Sequence, residues 1–185
     1  LFSCTLIEAG AQHTASELRV TLAGDEARAD VWGLYFGDDA RKIDLNYMIR
    51  QEGRYTDANM QVRGVLLDRS IKTFRGTLDF VQGARGSVGK EDEEVTILSP
   101  HARNRSVPLM LSHEGDVDGH HAVSIGRMDE DKLFYLMSRG LDERAARQLI
   151  VEASFAPVLA RIENEELRAE IGSYLERRLE GGAEK

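Results

Sequence analysis

Near residue 127 the chain changes its hydrophobic period, and that change restricts the available folds more than any single motif. Up to about Gly126, short runs alternate apolar and polar residues with a period of two, the pattern of half-buried strands. After Arg127 the apolar spacing becomes helical. The period-two runs fall at 18–22, 29–36, 43–49, 60–67, 71–81, 95–98, 107–111 and 122–126. Turn-forming clusters separate them, such as Gly37-Asp38-Asp39, Leu67-Asp68-Arg69-Ser70 and Gln82-Gly83-Ala84-Arg85-Gly86. A β body followed by a helical tail is a two-part architecture, unlike an alternating βαβ chain. The expected division is a β core over 1–127 and a helical segment over 128–185.

A loose echo recurs at the turns: Gly-Asp-Glu-Ala at 24–27, Gly-Asp-Asp-Ala at 37–40, Leu-Asp-Arg-Ser at 67–70 and Ser-Pro-His-Ala at 99–102. Small residues at repeated turn positions suit strands stacked coil upon coil. An antiparallel sandwich would also use many short strands. The scarcity of Asn-Gly and Asp-Gly hairpin turns favours the solenoid. In the tail, Asp129 predicts an N-cap for a helix through Ser138 that Gly140 closes. Asp142 starts a second helix over 143–155, with Ala145, Leu149, Ile150 and Ala153 as its apolar face and Pro157 as its break. Asn164 caps a third over 165–179, striped by Leu167, Ile171, Tyr174, Leu175 and Leu179 and ended by Gly181-Gly182.

Charge and cysteine content narrow the functions. A net charge of −8 with scattered Lys and Arg argues against a nucleic-acid surface. The single cysteine, Cys4, excludes an internal disulfide and any all-cysteine metal site within one chain, and it fits a reducing compartment. No apolar run approaches the ~20 residues needed to span a bilayer, and the cytoplasm is the expected location. Opening on Leu1 rather than Met reads as the trimmed C-terminal part of a longer protein. No phosphate loop, dinucleotide fingerprint, His-Glu-x-x-His or nucleophile elbow is present. Gly83 to Lys90 resembles a phosphate loop only faintly and reads as a turn, and Glu91-Asp92-Glu93-Glu94 reads as a solvated turn. That leaves the histidines: His13, His101, His113 and the adjacent pair His120 and His121. Successive strand residues point to opposite faces, so the two cannot easily chelate one ion. One faces the body and the other faces outward, where a metal site would need ligands from a partner.

The stretch Asp116-Val117-Asp118-Gly119-His120-His121-Ala122-Val123-Ser124-Ile125-Gly126 leads into Leu133-Phe134-Tyr135-Leu136-Met137-Ser138-Arg139-Gly140. Together with Glu143 to Val151, Phe155, and the upstream Arg63-Gly64-Val65-Leu66-Leu67-Asp68 and Phe74-Arg75-Gly76-Thr77-Leu78, it resembles the SufB/SufD family of iron–sulfur cluster assembly proteins. The resemblance runs from about residue 16 to 180 and is strongest over 108–155.

It implies a right-handed parallel β-helix followed by a small C-terminal helical domain. It also implies a non-enzymatic platform in a cytosolic assembly complex. Such proteins pair through their β-helices, with a SufB-type partner or with a second copy, and each recruits a SufC-type ATPase through the helical region. Leu133, Phe134, Tyr135, Arg139 and Gly140 are the implied docking neighbourhood, with gluing of the helices to the β body the alternative for the inward-facing ones. The family histidine falls on His121, the metal-site candidate at a dimer interface; His120 is the weaker one. The SufB-type cysteine position falls at about Glu93, and the SufD-type one at Gly119. With both thiols absent, no tightly bound cofactor is expected, only transient iron or a nascent cluster, and a SufD-like role fits better than a SufB-like one. The rivals are a β-helix carbohydrate-active enzyme and a purely structural interaction protein.

Overall fold

The structure, a computed structural model, describes residues 1–182; the last three residues of the predicted helical segment lie outside the described ones. Nine strands come first: β1 Phe2–Ala9, β2 His13–Leu22, β3 Arg28–Gly37, β4 Lys42–Gln51 and β5 Asp57–Leu66, then β6 Ile71–Phe80, β7 Ser87–Ile97, β8 Arg103–Ser112 and β9 Val117–Arg127. Three helices follow: α1 Glu130–Ser138, α2 Glu143–Leu159 and α3 Glu165–Gly182. Odd strands form one sheet in the order β1-β3-β5-β7-β9, and even strands form another, β2-β4-β6-β8. Every pairing is parallel. The chain is therefore a two-sheeted parallel β-helix, each coil giving one strand to each sheet, and the sandwich alternative is set aside.

The coil has a repeat visible in both side chains and backbone. Asp25–Arg54, Glu17–Asn46, Asp30–Asn59 and Arg50–Asp79 are hydrogen-bonded pairs 29 residues apart, one coil on from each other. At the corners, Glu26 and Tyr55 share a positive φ of 59° and 55°, and Asp39 and Asp68 share one of 51°. The second pair is held by the Asp39 N–H donating to Asp68 Oδ2 at 2.8 Å. Non-glycine residues adopt this conformation reluctantly, so its return one coil later marks a turn fixed by stacking.

Two cores result. Inside the coils, alternate residues such as Val31, Leu45, Ile49, Met60, Phe74 and Phe80 are buried together. Outside the odd-strand sheet, Leu34, Phe36, Val65 and Leu67 pack beneath Met128, Leu133, Ala146, Val151, Phe155 and Leu175. That second cluster explains why Val31-Trp32-Gly33-Leu34-Tyr35-Phe36 is nearly continuous in apolar residues: both faces of β3 are covered. Phe36 and Phe155 meet edge-to-face with centroids 6.3 Å apart. Arg161 pairs with Asp30 and lies 5.4 Å over the Trp32 ring, and Arg178 pairs with Asp38, pinning the tail to β3 and its following turn.

The helical expectations hold at all three starts and at the end of α1, and fail at the ends of α2 and α3. Asp129, Asp142 and Asn164 accept the predicted capping bonds. Yet α2 runs through Pro157 to Leu159, with the proline forgoing its own backbone bond to the preceding turn. Its buried face is Ala146, Val151, Phe155 and Val158, and Leu149 is exposed. Likewise α3 runs through Gly181 and Gly182. β1 occupies a stretch where the sequence pattern predicts no strand, and β7 takes in the acidic run read as a turn. No helix among the described residues is long and apolar enough to cross a membrane.

Candidate functional site

The acidic run is the main correction. It lies on β7, where alternation sends Glu91 and Glu93 into the solenoid and Asp92 and Glu94 outward. The outward pair meets Arg63, at 2.7 Å for Asp92 and 3.4 Å for Glu94. Inside, Glu93 forms an ion pair with the equally buried Lys72 of β6. Tyr35 Oη also donates to Glu93 Oε1 at 3.2 Å, and Lys72 Nζ lies 3.1 Å from Ser106 Oγ and 5.1 Å from the Tyr35 ring centroid. Two glycines make the room. A Cβ on Gly64 would stand 1.9 Å from the Tyr35 ring, and one on Gly76 would stand 2.0 Å from Glu91 Oε1.

Neither oxygen of Glu91 has a hydrogen-bond partner among the described residues, nor does Oε2 of Glu93. Burial, reinforced by repulsion from Glu93 and offset in part by Lys72, pushes the Glu91 carboxyl up to about 7. Burial pulls the Lys72 ammonium below its ordinary value against the opposing effect of Glu93, and it pushes the Tyr35 hydroxyl well up. The interior of these coils is therefore a proton-holding polar pocket within an apolar shell. The sequence signal for it is Lys72, a lone cation in the inward file otherwise made of Phe74, Leu78 and Phe80.

The pocket lies one strand from an unpaired edge. β9 ends the odd-strand sheet and β8 ends the even one. In register, His121 stands beside Glu91 and Gly119 beside Gly89. His121 thus faces inward and His120 outward. Alternation separates them as expected, but the candidate ligand His121 is the inward one and not the outward one that a partner-completed site calls for on sequence grounds. Both are exposed because no further coil covers them. His120 Nε2 lies 2.8 Å from Asp118 Oδ1, whereas His121 has no polar partner among the described residues. A Cβ at Gly119 would stand 2.5 Å from Met110 Sδ, so the space for the absent thiol is already filled from β8. No group of three or more His, Cys, Asp or Glu side chains among the described residues is placed to hold a metal ion.

The predicted docking residues divide between two directions. Leu133 is only 4% exposed and belongs to the core between helices and sheet, so it glues the tail to the body. Phe134, 74% exposed, and Tyr135 face outward with Met137 and Leu141. The Arg139 guanidinium lies 5.2 Å over the Tyr135 ring. Gly140, at φ 98°, closes α1 by donating to the Met137 carbonyl at 3.0 Å.

Comparison with known proteins assigns a kinship to this arrangement. Residues 1–154 match the family described as SUF system FeS cluster assembly, SufBD core domain. The chain is 30% identical over 166 residues to the iron–sulfur cluster assembly protein SufD of Bacillus subtilis, covering 90% of this chain and 38% of that protein. It is 30% identical over 169 residues to a SufBD family iron–sulfur cluster assembly protein of Mycobacterium tuberculosis, with 87% and 43% covered. A SufBD family protein of Pyrococcus horikoshii is 31% identical over 159 residues, with 86% and 35% covered. The chain spans about two fifths of the length of these relatives.

Proposed function

The chain belongs to the SufBD family of iron–sulfur cluster assembly proteins, and from that membership we propose that it is a non-enzymatic, SufD-like platform of the assembly complex. It pairs through the open end of its β-helix, with a SufB-type partner or a second copy, and handles iron or a nascent cluster at the shared interface. It binds a SufC-type ATPase through the outward face of α1 and works in the cytoplasm without a tightly bound cofactor.

One observation carries the reading: among the described residues, His121 sits on the inward face of the last strand, unpartnered, at an edge that no other strand covers. Exposed sheet edges with free backbone groups invite pairing with another chain. A second β-helix set against β8 and β9 would bring its own inward side chains over His121. With Glu93 and Gly119 in the family's thiol positions, this chain holds no cysteine there, so soft ligands would come from the partner. Iron and sulfide are cargo in this scheme. The rival carbohydrate-active reading needs paired carboxylates on an open solenoid face; on β7, Glu91 and Glu93 face the closed interior, and the outward pair Asp92 and Glu94 is held by Arg63.

The docking arm has a direct test. Co-expressed with a SufC-type ATPase, the wild-type chain and His121→Ala should both co-purify with it, while Tyr135→Ala and Arg139→Ala should lose most of it. Retention of the ATPase by both α1 variants would remove the docking assignment.

A further inference from the structure

The outer face of the even-strand sheet breaks its own rule at β8. On β2, β4 and β6 the outward positions are mostly polar, with Glu17 and Arg19, then Asp44, Asn46 and Arg50, then Thr73, Arg75, Thr77 and Asp79, and with Ala15, Met48 and Ile71 as single apolar exceptions. Many of these pair along the sheet, as Arg75 does with Asp44 and Arg50 with Asp79. β8 inverts the pattern over part of its length. Its inward file begins with Asn104 and Ser106, while Val107, Leu109 and Leu111 point outward at 42%, 43% and 40% exposure. On the odd-strand sheet the comparable outward residues, Leu34, Phe36, Val65 and Leu67, are buried under helices. On β8 no element of the described chain covers them.

The same outward file opens with Arg103 and Arg105. Arg103, Arg69 and His101 line a depression of about 560 Å³ together with Ile71 and Pro100. None of the side chains of Arg69, His101, Arg103 and Arg105 is ion-paired among the described residues, although the chain has eight more acidic charges than basic ones. The strip is therefore cationic at one end and apolar at the other. At about 3.3 Å per residue it runs roughly 26 Å from Arg103 to Leu111.

We propose that this strip is a docking surface for an amphipathic helix of another protein, with acidic side chains in its first turns over Arg69, His101 and Arg103, and its apolar face on Val107, Leu109 and Leu111. Charge complementarity selects the occupant. Acidic residues belong at a helix N-terminus, where the macrodipole favours them, so charge and apolar stripe align along one helix of about 17 residues. A free anion would satisfy the arginines and leave the apolar half bare. A strand would pair with the β8 edge and leave its outer face untouched. The proposal stands apart from the assembly role, because the strip faces away from the interior that His121 overlooks.

The probe is a synthetic helix-forming peptide of about 17 residues with glutamates in its first turns and leucines at i, i+3, i+4 and i+7 beyond them. Its affinity for the full 185-residue chain is read by fluorescence anisotropy. The expected result is binding that weakens with salt, falls at least tenfold in Arg69→Glu/Arg103→Glu and falls comparably in Leu109→Ser. The charge-reversal pair alters only exposed side chains, so it reports on docking even if the serine variant melts early. A peptide with lysines in place of the glutamates that binds as tightly would overturn the proposal, as would an affinity indifferent to the arginine changes. Concentration-dependent self-association abolished by Leu109→Ser would give the surface to a second copy instead. Sedimentation of the chain with phosphatidylserine vesicles, lost in the arginine variants, would give it to a membrane.

Discussion

Glu91 is charged on paper and isolated in fact, with both carboxyl oxygens buried and unpartnered beside a second carboxylate. The folded chain holds its proton more tightly than the unfolded chain does, with a carboxyl raised from 4.5 to about 7. The cost of ionising it is absent below the unfolded value, grows between the two and is complete above about 7. Glu91→Gln should therefore stabilise the protein by about 2–3 kcal/mol at pH 8 and change little near pH 4. Chemical denaturation at the two pH values measures the difference; an equal effect at both would place the cost elsewhere. Lys72 and Glu93 differ in kind, because each compensates the other and removal of either leaves a buried polar group without its main partner. None of this was legible from the acidic run itself. Four consecutive acids read as solvent-facing, and only a coil's alternation turns two of them inward around a lysine that lies far off in sequence.

At the scale of elements, the period-two pattern reaches every strand from β2 to β9 at least in part and misses β1. β7 is legible only at its end, over 95–98, because Glu91 and Glu93 make the earlier part of its inward file polar, and the 29-residue coil is blurred because the later coils insert extra residues at their turns. Helix starts were legible from their Asp and Asn caps, which act within one turn. Helix faces were not, since α2 carries two overlapping apolar stripes and only the sheet beneath it, with Leu34, Phe36 and Val65, decides between them. Gly64 makes the coil's tolerance measurable. Its Cα lies against the ring of Tyr35, the neighbour from the preceding coil on β3, and an added methyl would overlap that ring. Gly64→Ala should cost about 1–3 kcal/mol and displace Tyr35 from Glu93. A melting curve unchanged by the substitution would mean that the ring moves freely and the interior pocket is not rigid.

For the whole molecule, the period change at residue 127 foretold the join between solenoid and helices, and the resemblance over 108–155 foretold the family. The inward orientation of one histidine followed from strand geometry alone, although its exposure depends on β9 being the last strand described. In the proposed role, the open end, the unpartnered His121 and the filled thiol position at Gly119 would make this chain half of an inter-subunit site. The most direct test is iron retained by the purified complex of this chain with its β-helix partner, after anaerobic incubation with ferrous iron and sulfide and removal of excess. The account predicts iron bound by the wild-type complex and lost at least tenfold in affinity by His121→Ala, with the pair still assembled. Equal iron in both complexes would contradict it and leave His121 a bystander at a structural interface.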